Sequence, residues 1–180
     1  AAALLEWGPD DIQKWKESIA AYTAGGPDGA GVTVVNCNPF TLGHLSLIKR
    51  AAALVPRLYV MVVEEDRSLF PFHVRLKLVA EGTAAIPNVT VLPGGPYVIS
   101  SATFPTYFTR IEAEDEEAFS ELYAALDAEI FGRHIAPALK ASHRFVGTEP
   151  YCAVTSVYNK IMMDILPGGG RDRPPVQVHE

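Results

Sequence analysis

The stretch Val32-Thr33-Val34-Val35-Asn36-Cys37-Asn38-Pro39-Phe40-Thr41-Leu42-Gly43-His44 decides the fold. It opens with a β-branched run, preceded by Gly29 and Gly31 and followed by an Asn/Pro turn, which reads as a buried parallel strand. From Leu42 the period changes: Leu45, Ile48, Ala52 and Val55 recur at the spacing of a helix's buried face. In the turn between them, Pro39 fixes the backbone and Gly43 permits close approach of a ligand. A strand, a turn and a helix in that order aim free N–H groups beyond the carboxyl edge of the sheet, where anions are favoured. His44, directly after Gly43, can donate to a phosphate oxygen there. Phosphoryl and nucleotidyl transfer need little beyond such positioning and charge stabilisation.

Outward from this stretch the pattern alternates. Residues 1–31 read as an N-terminal helix, with Ile12, Trp15, Ile19 and Tyr22 on one stripe, and a Gly/Pro-rich linker from Gly25 to Gly31. Residues 32–180 read as one domain. Its second strand runs from Leu58 to Val63, a helix passes through Val74, Leu76, Leu78 and Val79, and a third strand spans Val89 to Leu92. Pro93-Gly94-Gly95-Pro96 breaks that strand. An acidic helix from about Glu112 to Ile130 follows, its carboxylates read as a solvated face. A fourth strand, Arg144 to Val146, delivers Gly147-Thr148-Glu149-Pro150 to the same edge; a helix over Thr155 to Ile165 and a fifth strand over Pro175 to His179 complete the pattern. The fold class is α/β: a Rossmann-like, doubly wound parallel sheet of about five strands with helices on both faces.

Composition sets bounds on function. With 180 residues and 48% hydrophobic content, the chain can bury the core of one α/β domain. A net charge of −6 argues against nucleic acid as a partner. No apolar run approaches a membrane span, and no basic segment leads into an apolar one, so a cytoplasmic protein is expected. Cys37 and Cys152 lack metal-ligand spacing, no metal-binding side-chain set is expected, and each cysteine reads as a small buried residue.

The string NPFTLGH resembles the first signature of nucleotidyltransferases that carry H-x-G-H or T-x-G-H at a strand-to-helix turn. Within that superfamily the chain is most similar to the catalytic domain of citrate lyase ligases, through NCNPFTLGH, VVEEDRSLFPF, VISSATFPTYF and HRFVGTEP in that order. These strings cover most of residues 32 to 159. The resemblance implies the nucleotidyltransferase fold and gives residues roles. His44 would bind the triphosphate and stabilise charge on the α-phosphate, Thr41 would donate its hydroxyl to a phosphate oxygen, and Arg67 would face the reacting phosphate. Asn36, Asn38, Pro39, Phe40 and Gly43 complete the nucleotide-binding turn, although the two asparagines serve equally as turn-closing residues. Gly147, Thr148 and Glu149 occupy the place where relatives contact ribose and base. Arg75 reads as a helix anchor, and Tyr151 and Asn159 as weaker candidates.

The hydroxyl-rich turn of Ser100, Ser101 and Thr103 reads either as a helix cap or as a nest for the anionic acceptor. It is not the superfamily's second signature, I-S-x-S-x-x-R, because Pro105 stands where the arginine belongs. That signature is expected in a continuation beyond Glu180.

The implied reaction is attack by a small anionic acid, a phosphonate or a carboxylate, on the α-phosphate of CTP or ATP, with Mg²⁺ carried by the triphosphate and pyrophosphate leaving. Because no acetyltransferase-like domain precedes the first strand here, the leading expectation is a stand-alone cytidylyl- or adenylyltransferase of phosphonate type. The alternative is a citrate lyase ligase domain that adenylylates acetate, and a third reading is a nucleotide-binding module without turnover. A homo-oligomer is compatible with all three.

Overall fold

The computed structural model describes residues 3–9, 11–65, 69–104, 116–148 and 153–180, with side chains in the last two stretches from 120 and 154 onward. Aliphatic runs at the centre of the chain form the middle of a five-stranded parallel sheet: β1 (Ala30–Val35), β2 (Leu58–Val62), β3 (Val89–Pro93), β4 (Ala141–Phe145) and β5 (Gln177–His179). The spatial order is β3-β2-β1-β4-β5. Chain order reverses on either side of β1, so the crevice between β1 and β4 is the place where such sheets bind ligands.

The helices are α1 (Ile12–Ala20), α2 (Leu42–Ala52), α3 (Phe72–Thr83), α4 (Glu116–Ile130), the short α5 (Ala136–Ala138) and α6 (Ala153–Ile165). β2 is buried along its whole length, and its residues alternate between two cores. Leu58, Val60 and Val62 pack under α2 and α3 with Ile48, Ala51 and Val79. Tyr59 and Met61 pack on the opposite face with Ile19 of α1, Ala124 and Ala128 of α4, and Tyr158 and Met162 of α6. The expected five parallel strands with helices on both faces are what the structure shows.

Several strand ends differ by a few residues from the sequence expectation, β1 beginning at Ala30 and β5 at Gln177, and two departures have a clear physical reason. β4 begins at Ala141, because Ala141 and His143 pair with Ala30 and Gly31 across a register shift. The polar Ser142 and His143 are only half-buried, so apolar alternation did not mark this part of the strand. After α4 the backbone widens into a π-helical turn over Phe131–Ile135. Pro137, inside α5, has no N–H to return to the preceding turn, and the wider turn accommodates its ring.

Candidate active site at the carboxyl edge of the sheet

Thr41 is the N-cap of α2, with extended backbone at φ −126°, and it forms a reciprocal capping box with His44. The backbone N–H of Thr41 donates to Nδ1 of His44 at 3.1 Å, and the Thr41 hydroxyl lies 2.8 Å from the same nitrogen. Nδ1 is therefore an acceptor, and in the neutral ring the proton resides on Nε2. Half-burial holds the imidazole below its ordinary pKa, which favours that neutral form. The ring also stacks on Phe40, with centroids 6.0 Å apart.

The turn itself is held from below. Arg75 of α3 is fully buried, and its guanidinium gathers three segments at the sheet edge. Nη1 donates to the Asn36 carbonyl at 2.9 Å, to Asn36 Oδ1 at 3.0 Å and to the Val63 carbonyl at 2.7 Å. Nη2 donates to the Glu65 carbonyl at 3.0 Å and Nε to the Phe70 carbonyl at 2.9 Å. Asn38 Oδ1 accepts from the Phe70 N–H at 2.9 Å. Both asparagines thus fasten the turn to the chain around α3. Phe40 is seated over Gly82 of α3, where a Cβ would stand 2.3 Å from the ring. Cys37, buried at φ 51°, has its thiol pushed up to about 12 by burial, so it is an inert packing residue.

A cleft of about 760 Å³ opens along this edge. Asn36, Asn38, Pro39, Thr41, Gly43 and His44 line one side, and Gly147, Thr148 and Asn159 line the other. Asn159 of α6 is buried and donates to the Gly147 carbonyl at 2.8 Å, fixing the loop after β4. Arg50 of α2, Arg144 of β4 and Tyr158 of α6 also reach the cleft. Sequence reasoning gave no role to these three, and it ranked Asn159 low. The signal for Arg144 is a charged residue at the start of the strand expected over Arg144 to Val146. Arg67, Glu149 and Tyr151 lie outside the described residues.

Ser100, Ser101 and Thr103 are placed differently from the nucleotide turn. The Ser100 hydroxyl donates to the Pro96 carbonyl at 2.6 Å and receives the N–H groups of Ala102 and Thr103 at 3.2 Å. Thr103 is fully buried; its Oγ1 accepts from the Ser100 N–H at 3.1 Å and donates to Asp127 at 3.4 Å. The Ser101 N–H donates to the Glu65 carboxylate at 2.9 Å. The Ser100 and Thr103 hydroxyls serve their own turn, and of this segment it is Ile99 that lines the cleft.

The family described as the citrate lyase ligase C-terminal domain matches residues 30–178, the whole span from β1 into β5. This chain belongs to the citrate lyase ligase family. The [citrate [pro-3S]-lyase] ligase of Klebsiella pneumoniae is 40% identical over 99% of this chain and 51% of its own length. The protein of the same name from Escherichia coli K12 is 41% identical over 98% of this chain and 49% of its own. The chain thus spans about half the length of these citrate lyase ligases. The crystal structure of NadR protein in complex with NAD and AMP-PNP covers 85% of this chain and 37% of that one, with 15% identity and a TM-score of 0.47. Membership lends nothing to the phosphonate and CTP readings.

Proposed function

We propose that this domain transfers AMP from ATP to a small carboxylic acid. A carboxylate oxygen forms a bond to the α-phosphorus, the bond from that phosphorus to the bridging oxygen breaks, and pyrophosphate leaves with the electron pair. The products are an acyl adenylate and pyrophosphate. A carboxylate is already ionised at neutral pH, so the attack needs no general base. The observation that carries this reading is the Thr41–His44 arrangement: Nδ1 is occupied by the Thr41 N–H, which leaves Nε2–H as the donor of a ring that lines the cleft. Such a neutral donor gains strength as charge develops on the α-phosphate.

The first N–H groups of α2, at Leu42 and Gly43, precede the helix's own hydrogen bonds and suit the triphosphate. Arg50 supplies positive charge on the same helix. Gly147 and Thr148 offer backbone and hydroxyl contacts for the nucleoside, and Arg67 and Glu149 join the site by resemblance. Among the described residues there is no cluster of three or more His, Cys, Asp or Glu able to hold a metal. A Mg²⁺ ion carried on the phosphates fits that donor set, since it needs few protein ligands, and it would supply further charge neutralisation. The name of the relatives points to a citrate lyase as the partner to which the activated acid passes.

The test is pyrophosphate release from each of the four nucleoside triphosphates against acetate, propionate and 2-aminoethylphosphonate. ATP with a carboxylate should be the productive pair; CTP with the phosphonate as the sole productive pair would overturn the reading.

A further inference from the structure

Arg144 is only 1% exposed, yet it is a lining residue of the cleft. Its hydrogen bonds are few and long for a buried guanidinium. Nη1 donates to the Phe145 carbonyl at 3.1 Å and to the Val32 carbonyl at 3.5 Å, and Nη2 approaches the Tyr158 hydroxyl at 3.5 Å. Nε is buried and has no hydrogen-bond partner among the described residues. The Phe131 ring, 5.2 Å from the guanidinium carbon, offers a cation–π face that gives Nε no acceptor.

Asp127, a buried carboxylate, meets Arg144 indirectly. Asp127 accepts from the Tyr158 hydroxyl at 2.8 Å and from the Ile99 N–H at 3.1 Å, so Tyr158 stands between the two charges. Burial raises the pKa of Asp127, which weakens its value as a counter-ion. A buried cation with a spare donor and an indirect partner is costly for a fold, and replacing it by an apolar residue of similar volume is often neutral or stabilising. Arg75 shows the contrast within the same sheet edge, since each of its three nitrogens donates to protein oxygen.

We propose that Arg144 is the acceptor-binding residue, and that the acid's carboxylate takes the place its guanidinium leaves open on the cleft floor. Val34, Ile99 and Val146 line the same cleft as Arg144 and add apolar surface to it, which suits a short aliphatic acid. This deepens the adenylyl-transfer reading and rests on it. It also moves the acceptor half of the site from the Ser100 to Thr103 turn to β4.

The decisive experiment follows the Nε–H resonance of Arg144 by ¹⁵N NMR in the full chain, assigned through bonds in the wild type so that no variant is needed. Acetate should shift it saturably, while the Arg173 Nε–H stays still. Pyrophosphate should leave it unchanged. A shift with pyrophosphate and none with acetate would place Arg144 in the nucleotide half, and silence toward both would make it a structural residue; either overturns the proposal. In kinetics, Arg144→Lys should raise KM for the acid by roughly ten- to a hundredfold, as loss of a charge-assisted hydrogen bond does, with KM for ATP within about twofold. Acetate binding at Arg144 without pyrophosphate release would refute the reaction and leave the acid site standing. Pyrophosphate release with Arg144 silent would refute the site alone.

Discussion

Arg75 and Asn36 meet at the carboxyl edge of the sheet through one nitrogen: Nη1 of Arg75 donates both to the backbone carbonyl and to the side-chain oxygen of Asn36. The guanidinium thereby sets the height at which the turn carrying Thr41 and His44 leaves β1, and it ties that turn to the chain after β2. Replacing Arg75 with Met would take this donor from the buried Val63 carbonyl and from the half-buried Asn36 and Glu65 carbonyls. The expected loss is about 3 kcal/mol or more of unfolding free energy, because a buried hydrogen-bonded charge is removed and its partners stay behind. Urea unfolding checks it; a variant as stable as the wild type would show that the clamp contributes nothing.

Gly82 and Phe40 define a second constraint on the turn. A Cβ at residue 82 would stand 2.3 Å from the Phe40 ring edge. Gly82→Ala should therefore cost roughly 1–3 kcal/mol through overpacking despite the better helix propensity of alanine. Adding Phe40→Leu should recover part of that loss. A double-mutant cycle with no coupling between the two positions would contradict the packing argument.

The β1–turn–α2 unit was legible in the sequence because its determinants are local: β-branched strand residues, a Pro and Gly in the turn, and apolar spacing in the helix. Arg75 and Arg144 were not legible in the same way. Their most distant partners lie 39 and 112 residues away in sequence, and periodicity carries no information about which oxygen a buried guanidinium will meet. Ser100, Ser101 and Thr103 illustrate the opposite problem. Hydroxyls at short spacing suit an anion nest and a self-capped turn equally, and the choice is made by where their protons go. Asn159 was visible as a polar residue in a helical pattern, but its hold on Gly147 depends on how α6 docks beside β4.

Asn159→Leu is expected to free the Gly147 carbonyl and loosen the loop after β4. The lost hydrogen bond and the unsatisfied carbonyl together correspond to about 1–3 kcal/mol. If that loop holds the nucleoside, the effect should appear mainly as a raised KM for ATP, with KM for the acid little changed. An effect confined to the acid would place the nucleoside elsewhere.

Burial lowers the pKa of His44, His134 and His143, in each case as the leading cause. The unfolded chain therefore takes up protons first as pH falls. Stability from these groups is fully present above the ordinary histidine value of about 6.5 and is lost as pH drops through it toward the lower folded values. Urea unfolding between pH 8 and pH 5.5 should show a decline toward acid, and His44→Gln should reduce its slope. A stability that is flat or rising toward acid over that range would contradict the assignment. Activity should decline in the same direction, since protonation at Nδ1 of His44 would displace the Thr41 N–H that orients the ring.

Acid-dependent exchange of labelled pyrophosphate into ATP reads directly whether the Thr41–His44 turn stabilises charge on the α-phosphate during transfer of AMP to an acid. Exchange should require a carboxylic acid and fall by roughly 10²- to 10³-fold in His44→Ala, the loss typical of a removed oxyanion donor, with ATP still bound. Exchange of equal rate in wild type and His44→Ala would contradict that stabilisation.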